Sequence, residues 1–360
     1  MSEAPNPCIK NPSSSSQSQE SAIELEELTE RLARFCVAHY QRDDLRVHDV
    51  VKMPGHAGFA YGFRVLVDAR VDSWFLRLPP PNVNWVGTAD VMRQVVTLNA
   101  LTGTEVPHCR VQWSGNDLVW FGRPYFVVPW LDGDVVRLGD NDWTTQLSPE
   151  RKLQLAGQFL SALAGIHKID PRQVDYLGTA VSLTDDVVRW DRLYERAAEG
   201  QRLSKVPVVR SKLLQQLPQV RSMGLFHGDF HVGNLFCSPE RVKLLAVIDW
   251  ELCGIGATQN DVGWMATFSD AEAWSLRDGD GPGSRNMFLD PETLIDLYQV
   301  HSGERLLEMN WFRALAAYKF AIITGFNLDL HRRGKREDPM WEEIGESMEP
   351  LIRRAEDLLI

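Results

Sequence analysis

Two short apolar segments in the middle of the sequence each end by presenting an aspartate. Residues 225–234 read LFHGDFHVGN, and residues 246–254 read AVIDWELCG. A carboxylate next to apolar residues is costly unless a positive charge meets it. Asp229, Asn234 and Asp249 therefore offer two carboxylates and an amide at fixed spacing, which indicates that a cation lies between them.

The spacing of these three residues is compatible with a phosphoryl-transfer site. Asn234 follows Asp229 by five residues and Asp249 follows it by twenty, so a short loop and a hairpin can bring all three to one cleft. Oxygen ligands of this kind suit Mg²⁺, which usually shares itself with substrate phosphates. A carboxylate that stays free of the metal can orient a hydroxyl group and accept its proton. Together they supply the metal clamp and the base that phosphoryl transfer uses.

The sequence around these residues changes from β-rich to helical along the chain. Residues 62–69 (GFRVLVDA) and 73–78 (SWFLRL) predict two strands joined by a short turn, whereas helical periodicity dominates the second half. We therefore predict an α+β fold, with a small β-rich lobe over residues 23–131 and a larger, mostly helical lobe over residues 132–360. The Ser-, Pro- and Gln-rich residues 1–22 predict a disordered tail.

Composition narrows the class of protein. The chain has 360 residues, 44% hydrophobic and 24% charged, which is typical of a soluble globular protein. Its formal charge of -11 argues against a nucleic-acid partner, which needs a basic surface. Five scattered cysteines without a CxxC pair favour free thiols in a reducing compartment. The sequence shows no bilayer-spanning stretch and no signal peptide, so we expect a cytoplasmic protein without a membrane partner. Its oligomeric state cannot be inferred from the sequence.

The segments HGDFHVGN and VIDWE resemble the catalytic and metal-binding segments of the aminoglycoside phosphotransferase family, which includes choline kinase-like enzymes. The resemblance extends over residues 45–335, most of the chain. It is strongest to the branch with kinase-like domains attached to some acyl-CoA dehydrogenases, where runs such as AVIDWEL and a helix ending like FNLDLHRRG recur. The resemblance implies a bilobal, protein-kinase-like fold with a nucleotide-binding N-terminal lobe and a catalytic C-terminal lobe.

The family pattern implies a role for each residue of the two motifs. Asp229 corresponds to the catalytic base, and Asn234 and Asp249 correspond to the residues that hold Mg²⁺. His227 corresponds to a structural histidine that fixes the catalytic loop. Asp261, in QNDVGW, matches an aspartate that braces the same loop.

The resemblance also implies a glycine-rich loop over the nucleotide. Residues 54–63 read PGHAGFAYGF, and Gly55, His56 and Gly58 are its expected binding residues. Glycines there allow backbone N–H groups to approach phosphate oxygens. Dense glycines also mark ordinary turns, so this interpretation depends on the strand that follows.

The hinge and the phosphate-binding cation are implied in the same way. Residues 126–131 (FVVPWL) would join the two lobes, with Val128 and Trp130 offering backbone groups to adenine. Arg77 aligns with the family's phosphate-binding lysine, and Gln94 aligns with the glutamate that normally pairs with it. We therefore expect an Arg–Gln hydrogen bond with no second charge beside Arg77.

The function implied by the resemblance is an ATP- and Mg²⁺-dependent transfer of the γ-phosphoryl group to a hydroxyl of a small-molecule substrate. Hydroxy acids or their thioesters, aminoglycosides and related metabolites all remain open as acceptors. The acidic composition favours a cationic acceptor, whereas the basic residues 331–337 (HRRGKRE) favour an anionic one.

Three other functions remain possible from the sequence. Arg77 and Gln94 stand where the family pattern has lysine and glutamate, and this difference favours a non-catalytic nucleotide-binding module. His227, Asp229 and His231 in HGDFH could bind a metal in a metallohydrolase, although no further His/Asp cluster completes the ligand set. A protein kinase is possible by fold kinship, although HGD with IDWE matches the small-molecule branch better.

Several nearby residues have simpler interpretations. His231 is expected to be a loop residue near the site, and His167 a hydrogen-bonded packing histidine beside an apolar helix face. Most of the twelve tryptophans fall in apolar runs and predict core packing rather than a cation cage. Arg332 and Arg333 either contact an anionic substrate or complement a helix C-terminus.

Overall fold

The computed structural model describes the chain in five segments, which are residues 24–53, 59–136, 142–220, 222–275 and 289–359. The tail predicted for residues 1–22 lies outside these segments. So do three residues of the expected glycine-rich loop, Gly55, His56 and Gly58.

The N-terminal lobe is built on a mainly antiparallel β-sheet. Its elements are α1 (Leu25–Tyr40), β1 (Leu45–Lys52), β2 (Phe59–Val67), β3 (Arg70–Leu78), α2 (Val91–Leu101), β4 (Trp113–Gly115) and β5 (Tyr125–Pro129). In the described residues the strands are hydrogen-bonded in the order β1-β2-β3-β5-β4. Helix α1 contacts β1, and α2 contacts β5. This sheet holds β3, which carries Arg77, in its centre.

The β2–β3 hairpin fixes the register of Arg77. Val67 pairs with Arg70 across the turn, and Asp68 in the turn has a left-handed backbone (φ 54°). A short polar side chain tolerates that conformation better than a branched one. The register continues along the hairpin to the Ala60–Arg77 pair, and β5 places Phe126 on the other side of Arg77. Arg77 is therefore held between two neighbouring strands, and the predicted hairpin is confirmed.

The C-terminal lobe is mostly helical. Its elements are β6 (Asp134–Val135), α3 (Pro149–His167), α4 (Leu183–Val188), α5 (Asp191–Tyr194), α6 (Val206–Gln215), β7 (Met223–Phe226), β8 (Leu235–Ser238), β9 (Lys243–Val247), β10 (Gly254–Ala257), α7 (Gln259–Phe268), α8 (Pro291–Ser302), α9 (Met309–Arg332), α10 (Met340–Gly345) and α11 (Met348–Asp357). Together with the β-rich first lobe, this confirms the predicted α+β, bilobal fold. The boundary between residues 131 and 132 stays a prediction; it falls in the link from β5 to β6.

Short strand pairs bring the two motifs together. β7 pairs with β10, and Phe226 at the end of β7 lies opposite Gly254 at the start of β10. β8 pairs with β9, and Leu235 at the start of β8 lies opposite Val247 at the end of β9. The β7–β8 loop and the β9–β10 loop therefore emerge at the same end of these pairs. Asp229 lies in the first of these loops and Asp249 in the second.

A shared core connects the lobes beneath the site. One cluster of buried residues joins α2 and β5 of the first lobe to α3 of the second, for example through Leu98, Val128 and Phe159. A second cluster surrounds α9, whose residues 311–322 are all buried. Among the residues that the structure describes, no helix is long and apolar enough to cross a membrane. The wide apolar surface of α9 is covered by other helices of the same lobe, including α7 and α11.

Helices α7 and α9 cross at Gly263. A Cβ atom added there would lie 2.6 Å from the backbone oxygen of Phe312, a distance that requires one helix to move. At Gly200, by contrast, an added Cβ meets no described atom within 4 Å. The close approach matters for the site because α7 also contacts the β7–β8 loop.

Gly263→Ala should destabilise the protein by about 1–3 kcal/mol, the usual cost of overpacking a tight core contact. Urea unfolding followed by circular dichroism measures this free energy. Gly200→Ala is the matched control and should leave the unfolding midpoint close to that of the parent. Equal midpoints for both variants would contradict the helix crossing described here.

Candidate active site

The β7–β8 loop passes tightly against the turn that carries Asp249. Gly228 has a positive φ of 87°, which glycine adopts without strain. A Cβ at this position would collide with the backbone oxygen of Leu252. The glycine of the HGD motif therefore lets the loop approach the 249–252 turn closely enough for Asp229 and Asp249 to share one cleft.

His227 fixes the loop from inside. Its ring is fully buried, and its Nδ1 accepts a hydrogen bond from the backbone N–H of Asp229 at 3.2 Å. The proton must then be on Nε2, which donates to the backbone oxygen of Ile248 at 2.9 Å. Burial lowers the pKa of His227, so the ring is neutral and suited to this paired role. The structural role implied for His227 agrees with these contacts.

Asp261 holds the backbone of the same loop. Its Oδ2 accepts the N–H of His227 at 2.7 Å, and its Oδ1 accepts the N–H of Gly228 at 2.8 Å. His167 Nε2 lies 3.1 Å from Oδ2, and the other ring nitrogen of His167 bonds Tyr298 at 2.7 Å. Burial opposes ionisation of Asp261, but the bond to His167 and the loop contacts hold its pKa below the ordinary value. The side chain of His167 is only 4% exposed and is hydrogen-bonded as expected, and its partner is the aspartate that braces the loop.

Asp229 is held at both carboxylate oxygens. Oδ1 accepts a hydrogen bond from Trp264 Nε1 at 2.9 Å, and Oδ2 accepts one from Asn234 Nδ2 at 3.1 Å. His231 Nε2 lies 3.5 Å from Oδ2. Burial opposes the charge, but His231 and the other donors outweigh it and lower the pKa of Asp229. At neutral pH this group is a fixed carboxylate, which can orient a hydroxyl group.

The remaining oxygens of Asn234 and Asp249 fit a divalent cation. The side-chain NH₂ group of Asn234 donates to the backbone oxygen and to Oδ2 of Asp229. The side-chain carbonyl oxygen of Asn234 is therefore the atom available to a metal. Asp249 has a left-handed backbone (φ 63°), and its buried Oδ1 has no hydrogen-bond partner among the residues that the structure describes. Strained backbone and unsatisfied buried oxygens concentrate at functional sites. This donor set, an amide oxygen and a carboxylate, is the one that Mg²⁺ accepts beside phosphates.

Arg77 reaches these residues from the opposite lobe. Its Nη2 lies 3.3 Å from Glu251 Oε2 and 4.0 Å from Asp249 Oδ1. Glu251 therefore places an acidic side chain beside Arg77, which the expected Arg–Gln pairing did not include, and the Arg–Gln hydrogen bond itself stays a prediction. Gln94 is buried and lines the same cleft. The pKa of Glu251 is raised to about 8, mainly by burial and secondly by the nearby Asp249. Arg77 offsets only part of this increase.

Glu251 is the residue that the sequence interpretation missed. It follows Asp249 by two positions in IDWE, in the short turn at residues 250–252, and its side chain lies 3.3 Å from Arg77. The motif itself contains Glu251. The family pattern places the partner of Arg77 on α2, whereas this residue lies on the C-terminal lobe.

One cavity between the lobes unites the described site residues. Its volume is about 610 Å³, within the range of small-molecule sites. Both lobes contribute to its lining, which includes every predicted site residue that the structure describes, namely Arg77, Val128, Trp130, Asp229, Asn234 and Asp249. Residues more than 170 positions apart in sequence, Arg77 and Asp249, both line it, and their side chains lie 4.0 Å apart.

The hinge differs in detail from the expectation. The backbone N–H of Trp130 already donates to Ser73 at 2.9 Å, so it cannot also donate to a nucleotide base. The indole is 42% exposed and covers Gly62, where an added Cβ would lie 2.5 Å from the ring. Of the backbone groups expected to face adenine, the Trp130 N–H is therefore excluded, and Trp130 adds its indole ring to the cavity lining. Val128 of β5, paired with Phe75, also lines the cavity, and its backbone contact with adenine stays a prediction.

The two arginines at the end of α9 are paired within the protein. Arg332 contacts Glu342 at 2.6 Å and Glu199 at 2.8 Å, and Arg333 contacts Asp329 at 3.2 Å. These ion pairs favour a structural role at the helix end over contact with an anionic substrate. For the metallohydrolase alternative, the described segments contain no group of three His, Cys, Asp or Glu side chains arranged to hold a metal.

Comparison with protein families identifies the chain. The model of the phosphotransferase enzyme family (APH) matches residues 60–290, which is more than half of the sequence. The chain therefore belongs to this family, as the motifs predicted. The chain thus has the fold of small-molecule phosphotransferases and belongs to their family. The cleft described above lies between its two lobes.

Individual relatives agree with this assignment. Human acyl-CoA dehydrogenase family member 11 is 25% identical over 259 residues, covering 70% of this chain and 33% of the relative. The chain spans about a third or less of the length of the curated relatives it matches. They confirm the predicted branch, since these dehydrogenases carry domains like this one.

Solved structures show the same fold. An aminoglycoside phosphotransferase candidate from Ralstonia eutropha superposes with a TM-score of 0.73 at 19% identity, covering 92% of this chain and 98% of that one. Amicoumacin kinase in complex with AMP-PNP, Ca²⁺ and Ami superposes with a TM-score of 0.53 at 14% identity, covering 86% and 87%.

Asp261→Asn should lower the free energy of unfolding by about 2–4 kcal/mol, because an amide presents its N–H₂ to backbone donors that need an acceptor. Urea unfolding measures the loss, and the exposed Asp175→Asn serves as a control with the same chemical change. If both variants unfold at the parent's midpoint, Asp261 does not brace the loop.

Proposed function

We propose that this chain is an ATP- and Mg²⁺-dependent kinase that phosphorylates a hydroxyl group of a small molecule. The observation that carries the proposal is the meeting of Arg77, Asp229, Asn234 and Asp249 on one cavity between two lobes. A cation from one lobe, a metal-ligand pair and a fixed carboxylate from the other are the parts that phosphoryl transfer uses.

The chain's own residues divide the work of the reaction. Asp229 orients the acceptor hydroxyl and takes its proton as the new bond from oxygen to the γ-phosphorus forms. The bond from that phosphorus to its bridging oxygen breaks, and ADP leaves. Arg77 lies where it can neutralise charge on the phosphate oxygens. Asn234 and Asp249 would hold Mg²⁺, which when bound neutralises phosphate charge and aligns the transferring group.

The nucleotide base would occupy the hinge side of the cavity. Val128 and the indole of Trp130 line that side together with Phe75 and Phe126. An apolar, aromatic lining suits a purine, whose large flat surface gains from stacking and burial. The complex of a structurally similar kinase with AMP-PNP supports ATP as the donor we propose here.

Glu251 favours a catalytic enzyme over a non-catalytic module. In the family pattern Gln94 leaves Arg77 without the usual acidic partner on α2. The contact with Glu251, 3.3 Å from Nη2, supplies an acidic partner from the other lobe, which is ionised above its raised pKa of about 8. This hydrogen bond fixes the guanidinium in the cleft, where phosphate can replace Glu251 on nucleotide binding.

The acceptor is tested with Mg·ATP and pooled hydroxylated compounds. The pool includes hydroxy acids and their thioesters, because the matched relatives are named as acyl-CoA dehydrogenases, and aminoglycosides, because of the family. Mass spectrometry detects the gain of a phosphate. A phosphorylated product supports the proposal, whereas Mg·ATP binding without any product supports the non-catalytic alternative.

Asp229→Asn should reduce product formation by about a thousandfold, within the usual contribution of a positioned base. Nucleotide affinity, measured by calorimetry, should match that of the parent because Asp229 is not assigned to the metal. The variant keeps a side chain of the same size but turns an NH₂ towards one of the donors Trp264 and Asn234, so circular dichroism is used to check that it is folded. Turnover equal to that of the parent would remove Asp229 from the role of base.

Asp249→Ala should weaken Mg·ATP binding by about tenfold or more, since it removes a ligand of the metal. Calorimetry with Mg·ATP and with ATP in EDTA separates metal-dependent from metal-independent affinity, and the loss is expected in the first titration. The exposed Asp175→Ala controls for the loss of one negative charge. Unchanged affinity for Mg·ATP would exclude Asp249 from the metal site.

A further inference from the structure

One face of α7 contacts the catalytic loop at successive turns. Asp261, Trp264 and Phe268 are spaced as i, i+3 and i+7, so they lie on the same side of the helix. Asp261 accepts the backbone N–H groups at the start of the loop, as described above. Phe268 stacks on the ring of His231 further along it, with centroids 4.7 Å apart and an interplanar angle of 28°. Between these two contacts lies Trp264.

Trp264 donates from outside the loop to the carboxylate at the centre of the site. Its Nε1 lies 2.9 Å from Asp229 Oδ1. The other oxygen, Oδ2, is bonded to Asn234, which is itself part of the loop and is assigned to the metal. The indole thus holds the Asp229 carboxylate against helix α7, independently of the β7–β8 loop that carries Asp229.

The indole has little freedom to turn away. It is 7% exposed and stacks on Phe320 of α9, with centroids 3.8 Å apart and an interplanar angle of 27°. Phe268 meets it edge-on at 6.3 Å. A rotation would break the stacking and leave a buried N–H without an acceptor, and each of these costs free energy. The donor is therefore held at a fixed place before any substrate binds.

We propose that Trp264 is a positioning residue, whose indole N–H fixes the orientation of the Asp229 carboxylate toward the acceptor hydroxyl. This inference rests on the proposed function, because it assigns the role through the base. With Oδ1 engaged by the indole, the carboxylate cannot rotate about its Cβ–Cγ bond without losing that hydrogen bond. Oδ2 then presents its remaining lone pair in one direction, which is the pre-organisation that transfer between aligned groups requires.

The kinetic test compares two tryptophan-to-phenylalanine variants. Trp264→Phe keeps a stacked ring but removes the N–H. Trp311→Phe is the control, because Trp311, on α9, is also buried and donates its N–H to the backbone oxygen of Leu213 on α6. ADP release is followed with Mg·ATP and the pool of hydroxylated compounds. We expect Trp264→Phe to lower kcat by about tenfold with unchanged affinity for Mg·ATP, since a hydrogen bond to a charged group is lost, and Trp311→Phe to retain the parental kcat.

A second measurement reads the contact without any turnover. Labelling with ¹⁵N-tryptophan gives indole N–H signals in NMR spectra, and the signal of Trp264 is the one missing from Trp264→Phe. In Asp229→Ala that signal should move upfield and exchange faster with water, because its acceptor is gone. The signal of Trp311 should stay in place and reports that the fold is intact.

The outcomes separate this inference from the proposed function. If the indole N–H signal of Trp264 is the same in Asp229→Ala as in the parent, the contact does not exist. The inference is then overturned, even if the enzyme is active. A shifted signal with parental kcat in Trp264→Phe overturns the positioning role. A parent protein that neither binds Mg·ATP nor forms product overturns the proposed function, and the inference falls with it while the NMR result still reports the contact.

Discussion

The site depends on one buried carboxylate, that of Asp261. It accepts the backbone N–H groups of His227 and Gly228, which lie at the point where the chain leaves β7 and must turn sharply. Two consecutive buried N–H groups need an acceptor, and an anion satisfies both at once. The tight passage of Gly228 against the neighbouring turn follows from this anchoring, and Asp229 is the next residue. The aspartate is in turn held by His167, whose ring is fixed by Tyr298 of α8. The geometry of the base is thus set by the packing of the helical lobe.

The second constraint is the contact between the lobes at Arg77. The guanidinium of Arg77 extends from the centre of the N-terminal sheet to the Glu251 side chain on the C-terminal lobe. A partner on α2 would instead have kept this contact within the N-terminal lobe. Burial of Glu251 beside Asp249 makes its charge costly without a cation nearby. Arg77 and any bound metal therefore stabilise the same group of acidic side chains.

Much of the site could be predicted from the sequence, because its residues lie in two short motifs with fixed spacing. HGDFHVGN and VIDWE predicted Asp229, Asn234 and Asp249 as neighbours, and the strand pairing of β7 with β10 and β8 with β9 explains why they meet. The long-range partners could not be predicted this way. The contact of Trp264 with Asp229 depends on how α7 is oriented over the loop, and periodicity alone assigns that tryptophan to the core. The Glu251 contact and the sheet bond of the Trp130 N–H depend on register and lobe closure, which no local pattern encodes.

The proposed function requires that the nucleotide, the metal and Asp229 meet in the cavity between the lobes. A crystal structure of the protein with Mg²⁺ and a non-hydrolysable ATP analogue would show whether they do. We expect the metal to be bound to the side-chain oxygens of Asn234 and Asp249, the terminal phosphate to lie between Arg77 and Asp229, and the adenine to lie beside Trp130. An analogue bound elsewhere, or a metal that contacts neither Asn234 nor Asp249, would overturn this function.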